Sequence, residues 1–247
     1  MKSTLTPSNL NRRDFLRATG LTGLAIAAPS LNVLGAYNDA AQTPNTQFTV
    51  LEYSTLPVII ENRNLSMEKD AVVMDQFRRT REGFVLQYKG GYFAGLRAGG
   101  VVFDTSGKDI QRFRGDGGAA HAPNFIKALR SRRAEDLNAP IAEGHVSSAV
   151  CHLGNLSYSL AEPGKLSACR DAMGKHSQVT EAFTRLIQSL EGIGVDLDKT
   201  PFALGPWLDT DPASGQITGV GGSDAAILAQ ARRLARGSHR PPYVLPA

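Results

Sequence analysis

The sequence predicts an α+β chain: a largely antiparallel, open sheet with helices packed on one of its faces. Three observations carry this. Short strand-like runs crowd the stretch from residue 47 to about 114, and helical periodicity takes over after residue 121. No helix of crossover length separates most of the runs, as parallel pairing would require.

The elements follow in order. The first three dozen residues read as a leader. Asn11-Arg12-Arg13-Asp14-Phe15-Leu16-Arg17 is a twin-arginine pair followed by apolar residues, and a modest apolar run, Ala18 to Ala28, comes next, interrupted by Gly20, Thr22 and Gly23. That run falls short of the ~20 apolar residues that span a bilayer. Pro29 breaks it, and small residues follow near Gly35-Ala36, the layout of a bacterial twin-arginine (Tat) export signal with Arg12 and Arg13 as its recognition pair. Cleavage at Ala36, Ala40 or Ala41 fits, and the signal implies a folded, exported, periplasmic protein with no stable membrane span after cleavage.

Residues 37–46 are polar, carry Pro44 and read as a linker to one domain over 47–247. Strands are expected at Gln47–Tyr53, Pro57–Asn62, Gly83–Tyr88, Tyr92–Leu96, Val101–Asp104 and Ile110–Phe113, all rich in β-branched or aromatic residues. Lys89-Gly90-Gly91 and Thr105-Ser106-Gly107-Lys108 read as hairpin turns. The first helix, Ala122–Arg133, has Pro123 in its first turn and Phe125, Ile126 and Leu129 on one side. Ile141–Leu160 repeats Val146, Ala149, Val150, Leu153, Leu156 and Leu160 at helical spacing. Ser177 suits the cap of a third helix that ends at Gly192 and Gly194. Ser223 suits the cap of a fourth, which ends at Gly237.

Charge narrows the function classes. The 247 residues hold 27 basic and 23 acidic side chains, net +4. Without the leader the balance is 23 against 22, so the basicity belongs mostly to the address label. Nucleic acid is therefore not an expected partner, since its binding needs a strongly basic face.

The most suggestive constellation is the polar stripe of the second helix: His145, Ser148, His152 and Asn155, continued by Ser159. Ser148 and His152 stand one turn apart, but Glu143 points away from His152, so no carboxylate orients the base of a serine nucleophile. His145 and His152 are two turns apart, which stretches a shared metal ion. The stripe reads as an interface or substrate face, with no catalytic and no metal residues assigned.

Cys151 is expected on or beside the apolar side of its helix, buried rather than paired with Cys169. Gly219-Val220-Gly221-Gly222-Ser223-Asp224 precedes a helix, but no second strand with an acidic residue follows, so it is not a dinucleotide fingerprint. Arg112, Arg114, Arg130, Arg132 and Arg133 sit beside Glu135 and Asp136 and read as a solvated surface.

The segments His121-Ala122-Pro123-Asn124-Phe125-Ile126-Lys127-Ala128-Leu129-Arg130, Glu135-Asp136-Leu137-Asn138-Ala139 and Glu143-Gly144-His145-Val146-Ser147-Ser148-Ala149-Val150-Cys151-His152-Leu153-Gly154-Asn155 together resemble the C-terminal part of the exported bacterial Gfo/Idh/MocA oxidoreductases. Lys89-Gly90-Gly91-Tyr92, Gly115-Asp116-Gly117-Gly118, Gly194-Val195-Asp196-Leu197, Leu204-Gly205-Pro206-Trp207-Leu208 and the tail Arg240-Pro241-Pro242-Tyr243 extend the resemblance over residues 47–247.

In that family a Rossmann domain follows the leader, binds NAD(P) and carries the catalytic lysine of a Glu-Lys-Pro motif. An aspartate and a histidine from the next domain complete the site. Here only residues 37–46 lie between leader and sheet, where one βαβ unit needs about 30. Neither Glu-Lys-Pro nor Asp-x-x-x-His occurs. The resemblance therefore implies the fold, the export route and association through the outer face of the sheet. It implies no catalytic residue and no cofactor in this chain, NAD(P) belonging to the full-length relatives.

Three readings follow: a non-catalytic oligomerisation or substrate-domain remnant that assembles with itself or with a full-length relative; the substrate-domain subunit of a sugar or polyol dehydrogenase completed in trans; or a periplasmic carbohydrate-binding module with a sugar ligand.

Overall fold

The computed structural model describes residues 30–33 (backbone only), 44, 46–53, 56–63, 65–66, 68–69, 73–173, 177–200, 202–211, 214–221 and 225–237. Its strands are β1 Ser30–Val33, β2 Thr46–Tyr53, β3 Leu56–Arg63, β4 Phe84–Tyr88, β5 Gly91–Leu96, β6 Gly99–Asp104, β7 Asp109–Arg114, β8 Glu162–Gly164, β9 Phe202–Leu204, β10 Leu208–Thr210 and β11 Ile217–Val220. Its helices are α1 His121–Ser131, α2 Ile141–Ser159, α3 Leu166–Met173, α4 Ser177–Gly192 and α5 Ala225–Arg236. Among the described residues every strand pair is antiparallel, and the chain is a mixed α+β protein with antiparallel sheets.

The single open sheet expected from the sequence is instead three sheets, in the orders β3-β2-β1-β9-β8, β4-β5-β6-β7 and β10-β11. The six predicted strands divide after β3: β2 and β3 pair in one sheet, and β4 to β7 pair only with one another in a second. The chain divides into two compact units accordingly. One comprises the described residues within Met1–Arg63, Ser148–Glu191 and Val195–Ala247; the other comprises those within Asn64–Ser147 and Gly192–Gly194.

In the first unit β2 is buried on both faces. Thr46, Phe48 and Val50 point one way, Gln47, Thr49 and Leu51 the other, and none is more than 8% exposed. Helices therefore cover both faces, which corrects the expectation that they pack on one. On the Phe48 face lies α4, its Phe183 ring edge-on to Phe48 at 5.9 Å between centroids. On the Leu51 face, Leu153 and Leu156 of α2, Ala231 of α5 and the β10–β11 residues Leu208, Ile217 and Val220 form one core. Gly154 lets α2 come close: a Cβ there would stand 2.9 Å from the Thr49 Oγ1.

Central in the sheet, β1 pairs along its whole length with β2 and through Leu31–Val33 with β9. It lies inside the stretch read as a leader. The Glu61 carboxylate of β3 ties this unit laterally, 3.1 Å from Arg63 and also paired with Arg185 of α4.

The second unit is a four-stranded meander followed by α1 and the first turns of α2. Two of its three hairpins fall at the predicted positions, through Lys89-Gly90 and through Thr105-Ser106, and the third turns through Arg97-Ala98, outside the predicted turns. At Thr105-Ser106, the Asp104 Oδ1 accepts from the Ser106 hydroxyl and from the Ser106 and Lys108 N–H groups. These bonds hold its carboxyl below the usual carboxylate range. Asp116 does the same before α1, accepting from the Gly118 and Ala120 N–H groups. After α1, the Asn124 side chain donates to the Asp136 carbonyl (2.7 Å) and accepts from the Asn138 N–H (2.9 Å), pinning the short 3-10 turn Ala134–Asp136.

α4 opens at Ser177, whose hydroxyl donates to Gln178 Oε1. It closes at Gly192, with Gly194 at φ +85° and the Val195 N–H returning to the Leu190 carbonyl. The expected Ser223 cap, residues 37–43 of the linker and the tail from Arg240 lie outside the described residues.

Candidate interaction surface

The two faces of the meander differ. Register places Val85, Tyr92, Ala94, Val101 and Phe103 on one of them. Tyr92, Ala94 and Phe103 are at most 7% exposed, with Val85 and Val101 packed against them. Tyr92 and Phe103 stack at 4.8 Å. The turn Phe77–Thr80 lies against this stack, with the Arg78 guanidinium 4.7 Å from the Tyr92 centroid and that of Arg79 5.2 Å from Phe103. Both arginines occupy the left-handed region, φ 47° and 64°, where asparagine or glycine is usual.

The opposite face carries Phe84, Leu86 and Tyr88 of β4, Phe93 of β5, Val102 of β6 and Phe113 of β7. Its floor is glycine. Gly95 pairs with Phe84 and Gly100 with Phe113 in register. A Cβ on Gly95 would run into the Phe84 ring, and one on Gly100 into the Phe93 ring. The rings thus lie down over bare backbone, Phe93 meeting Phe84 at 5.8 Å and Phe113 at 6.1 Å. Phe84 is 55% exposed, Tyr88 48% and Phe113 40%. Contiguous apolar surface of this kind marks an interaction site more often than scattered single residues do.

α1 in the same unit also exposes Phe125, Ile126 and Leu129, the side that the sequence marks as apolar. The sequence pointed to a sheet face only through the family resemblance and assigned none of the aromatic residues of β4 to β7 to it. The signal was present in the apolar alternation Phe84, Leu86, Tyr88 and in Gly95 and Gly100 opposite aromatic residues, and became readable once hairpin length set the register.

The predicted polar stripe is continuous and exposed: His145, Ser148, His152, Asn155 and Ser159 all lie on the solvent side of α2. Among the described residues no group of three His, Cys, Asp or Glu side chains is placed to hold a metal ion. Cys151 is exposed, contrary to expectation, because the buried arc of α2 centres on Leu153, Gly154, Leu156 and Ser157 and Cys151 stands across the helix from it. Cys169 of α3 is fully buried and unpaired with Cys151, and burial pushes its thiol up to about 11.

In the arginine group, Arg112 pairs with Asp109 and Arg133 with Glu135, both at the surface. The glycine-rich segment begins inside β11 with Gly219 and Val220, and the Gly221 N–H donates to the Trp207 carbonyl, a turn-forming role. Arg12 and Arg13 lie outside the described residues. Among the described residues no helix is long and apolar enough to cross a membrane.

No protein-family model, curated protein or solved structure matches the chain.

Proposed function

We propose that the chain is an exported, non-catalytic α+β protein, similar to a Gfo/Idh/MocA C-terminal domain without its nucleotide-binding partner, that assembles with itself through the aromatic face of the four-stranded sheet. The glycine-floored set of exposed Phe84 and Phe113 with half-buried Phe93 between them carries the reading. A face built from exposed aromatic rings suits a second copy of the same face. Its polar side chains include Gln111 of the edge strand β7, opposite Val102, and Asp104, opposite Gly91, and among the described residues they make no arrangement of acid, base and nucleophile.

Light scattering across a concentration series tests this. The expected species is a dimer or larger that Phe84→Ser/Phe113→Ser converts to monomer. A wild-type monomer would refute the self-assembly. A monomer that gains mass and NAD(P)-dependent activity with a separate nucleotide-binding chain would favour a dehydrogenase completed in trans.

A further inference from the structure

The placement of β1 bears on where an exported form is cut. Ser30–Val33 lies between β2 and β9 and pairs with both, Ser30 opposite Thr49 and Val33 opposite both Thr46 and Phe202. The side chains flanking it are buried: Thr46, Phe48 and Thr49 are at most 2% exposed, and Phe202 is 2% exposed. Cleavage at Ala36, Ala40 or Ala41 would remove this strand. The facing N–H and C=O groups of β2 and β9 would lose their partners among buried side chains, where unpaired backbone is costly. The pair β8–β9 would also be severed from β2–β3, since β1 alone joins them.

Immediately before β1 the sequence reads Ala25-Ile26-Ala27-Ala28-Pro29. Ala25-Ile26-Ala27 is a small-x-small triplet of the type leader peptidases recognise. Pro29 lacks an N–H for the ladder and is tolerated at the start of a strand.

We infer that processing occurs between Ala27 and Ala28, so that the mature chain begins Ala28-Pro29 and enters β1 directly. This rests on the export reading above. The step is a hydrolysis: a leader peptidase adds water across the Ala27–Ala28 amide, leaving a carboxylate on Ala27 and a free amine on Ala28. The leader then ends where the fold begins, and no strand of the sheet is lost.

The full chain is expressed in a bacterium with an active twin-arginine pathway, and the periplasmic product is weighed by intact mass spectrometry. The expected mass is that of residues 28–247. Ala27→Leu blocks processing, whereas Ala36→Leu leaves it unchanged. A chain of residues 37–247 melts at least about 8 °C below one of residues 28–247. A product beginning at residue 37, 41 or 42, or the two chains melting within about 2 °C of each other, overturns the inference while leaving export standing. No periplasmic product, or one unaffected by Arg12→Lys/Arg13→Lys, overturns the twin-arginine reading itself and the inference with it.

Discussion

Gly95→Ala separates folding from assembly. Gly95 lies under the Phe84 ring, and an added Cβ would collide with the far edge of that ring rather than with backbone. Phe84 is already 55% exposed, so the ring can swing off the sheet. Complete burial of a phenylalanine stabilises by about 1.5–3 kcal/mol, and a ring half in water contributes about 1 kcal/mol to the monomer. Alanine in a strand recovers about 0.5–1 kcal/mol relative to glycine. The net effect on the monomer is within about 1 kcal/mol, a melting shift under about 4 °C. Assembly should respond differently, because the displaced ring projects from the surface that must lie flat. Self-association weakens at least tenfold, equivalent to about 1.4 kcal/mol, measured by sedimentation equilibrium over a hundredfold concentration range.

Gly83→Ala is the contrasting control. Its φ is +147° and its Cβ would meet the Gly95 backbone carbonyl, so the strain has no side-chain escape and costs about 1–3 kcal/mol of folding stability. If Gly95→Ala associates as the wild type does while its melting point is unchanged, the aromatic face is not the contact surface.

Three further outcomes are expected. Glu61 pairs with both Arg63 and Arg185 with 17% of its side chain exposed, so Glu61→Gln takes the shared counter-charge from two largely buried guanidinium groups and costs about 3 kcal/mol; Glu61→Leu/Arg63→Met/Arg185→Met recovers much of that in urea melts, and equal losses would contradict it. Arg78→Asn/Arg79→Gly relieves about 1–2 kcal/mol of left-handed strain per residue against about 0.5–1 kcal/mol lost per cation–π contact, so it stabilises modestly, whereas Arg78→Ala keeps the strain, loses the contact and lowers the melting point. Cys151 reacts with a disulfide reagent in the native protein at pH 8 and Cys169 only after unfolding. Because the folded Cys169 thiol is raised to about 11 from 9.0, its neutral burial contributes fully below about pH 9. That contribution declines as pH rises toward 11, since the unfolded chain loses the proton first; Cys169→Ala should flatten this alkaline loss.

Element identity was legible wherever local rules sufficed. The meander β4–β7 and helices α1, α2, α4 and α5 appear close to their predicted bounds because each has several residues of periodic pattern and a glycine or turn at its end. The strands β8 to β11 have only three or four residues, too few for alternation to register. β1 escaped for another reason: Ser30-Leu31-Asn32-Val33 follows an apolar run behind a twin-arginine pair, and the leader pattern claimed it. Layering was misread because β2, Thr-Gln-Phe-Thr-Val-Leu-Glu-Tyr, alternates in sequence but is buried on both sides. Threonine and glutamine fill the positions that solvent would otherwise occupy, Thr49 beneath Gly154 of α2. Alternating polarity cannot distinguish water from a close-packed helix when the polar residues are this small.

The second unit presents a larger imbalance than its fold alone explains. Its meander core is Tyr92, Ala94 and Phe103 with Val85 and Val101 beside them. Against this, Phe84, Tyr88, Leu96, Ile110, Phe113, Phe125, Ile126, Leu129, Ile141 and Val146 are each at least 40% exposed. Folding stability is a small difference between large terms, and a unit this size gains little from so few buried side chains. Two devices offset part of the deficit: the arginine pair over Tyr92 and Phe103, and the carboxylate-capped turns at Asp104 and Asp116. Neither covers the aromatic face. Glycine at positions 95 and 100 forgoes side-chain packing, and the return is a surface on which Phe84 and Phe93 lie flat and remain in contact with water. In an isolated monomer that arrangement returns only about 1 kcal/mol for a half-exposed ring. On the self-assembly proposed above, the same rings would exchange water for apolar contact against a second copy without first having to be ordered, and that interface would supply the unit's missing burial.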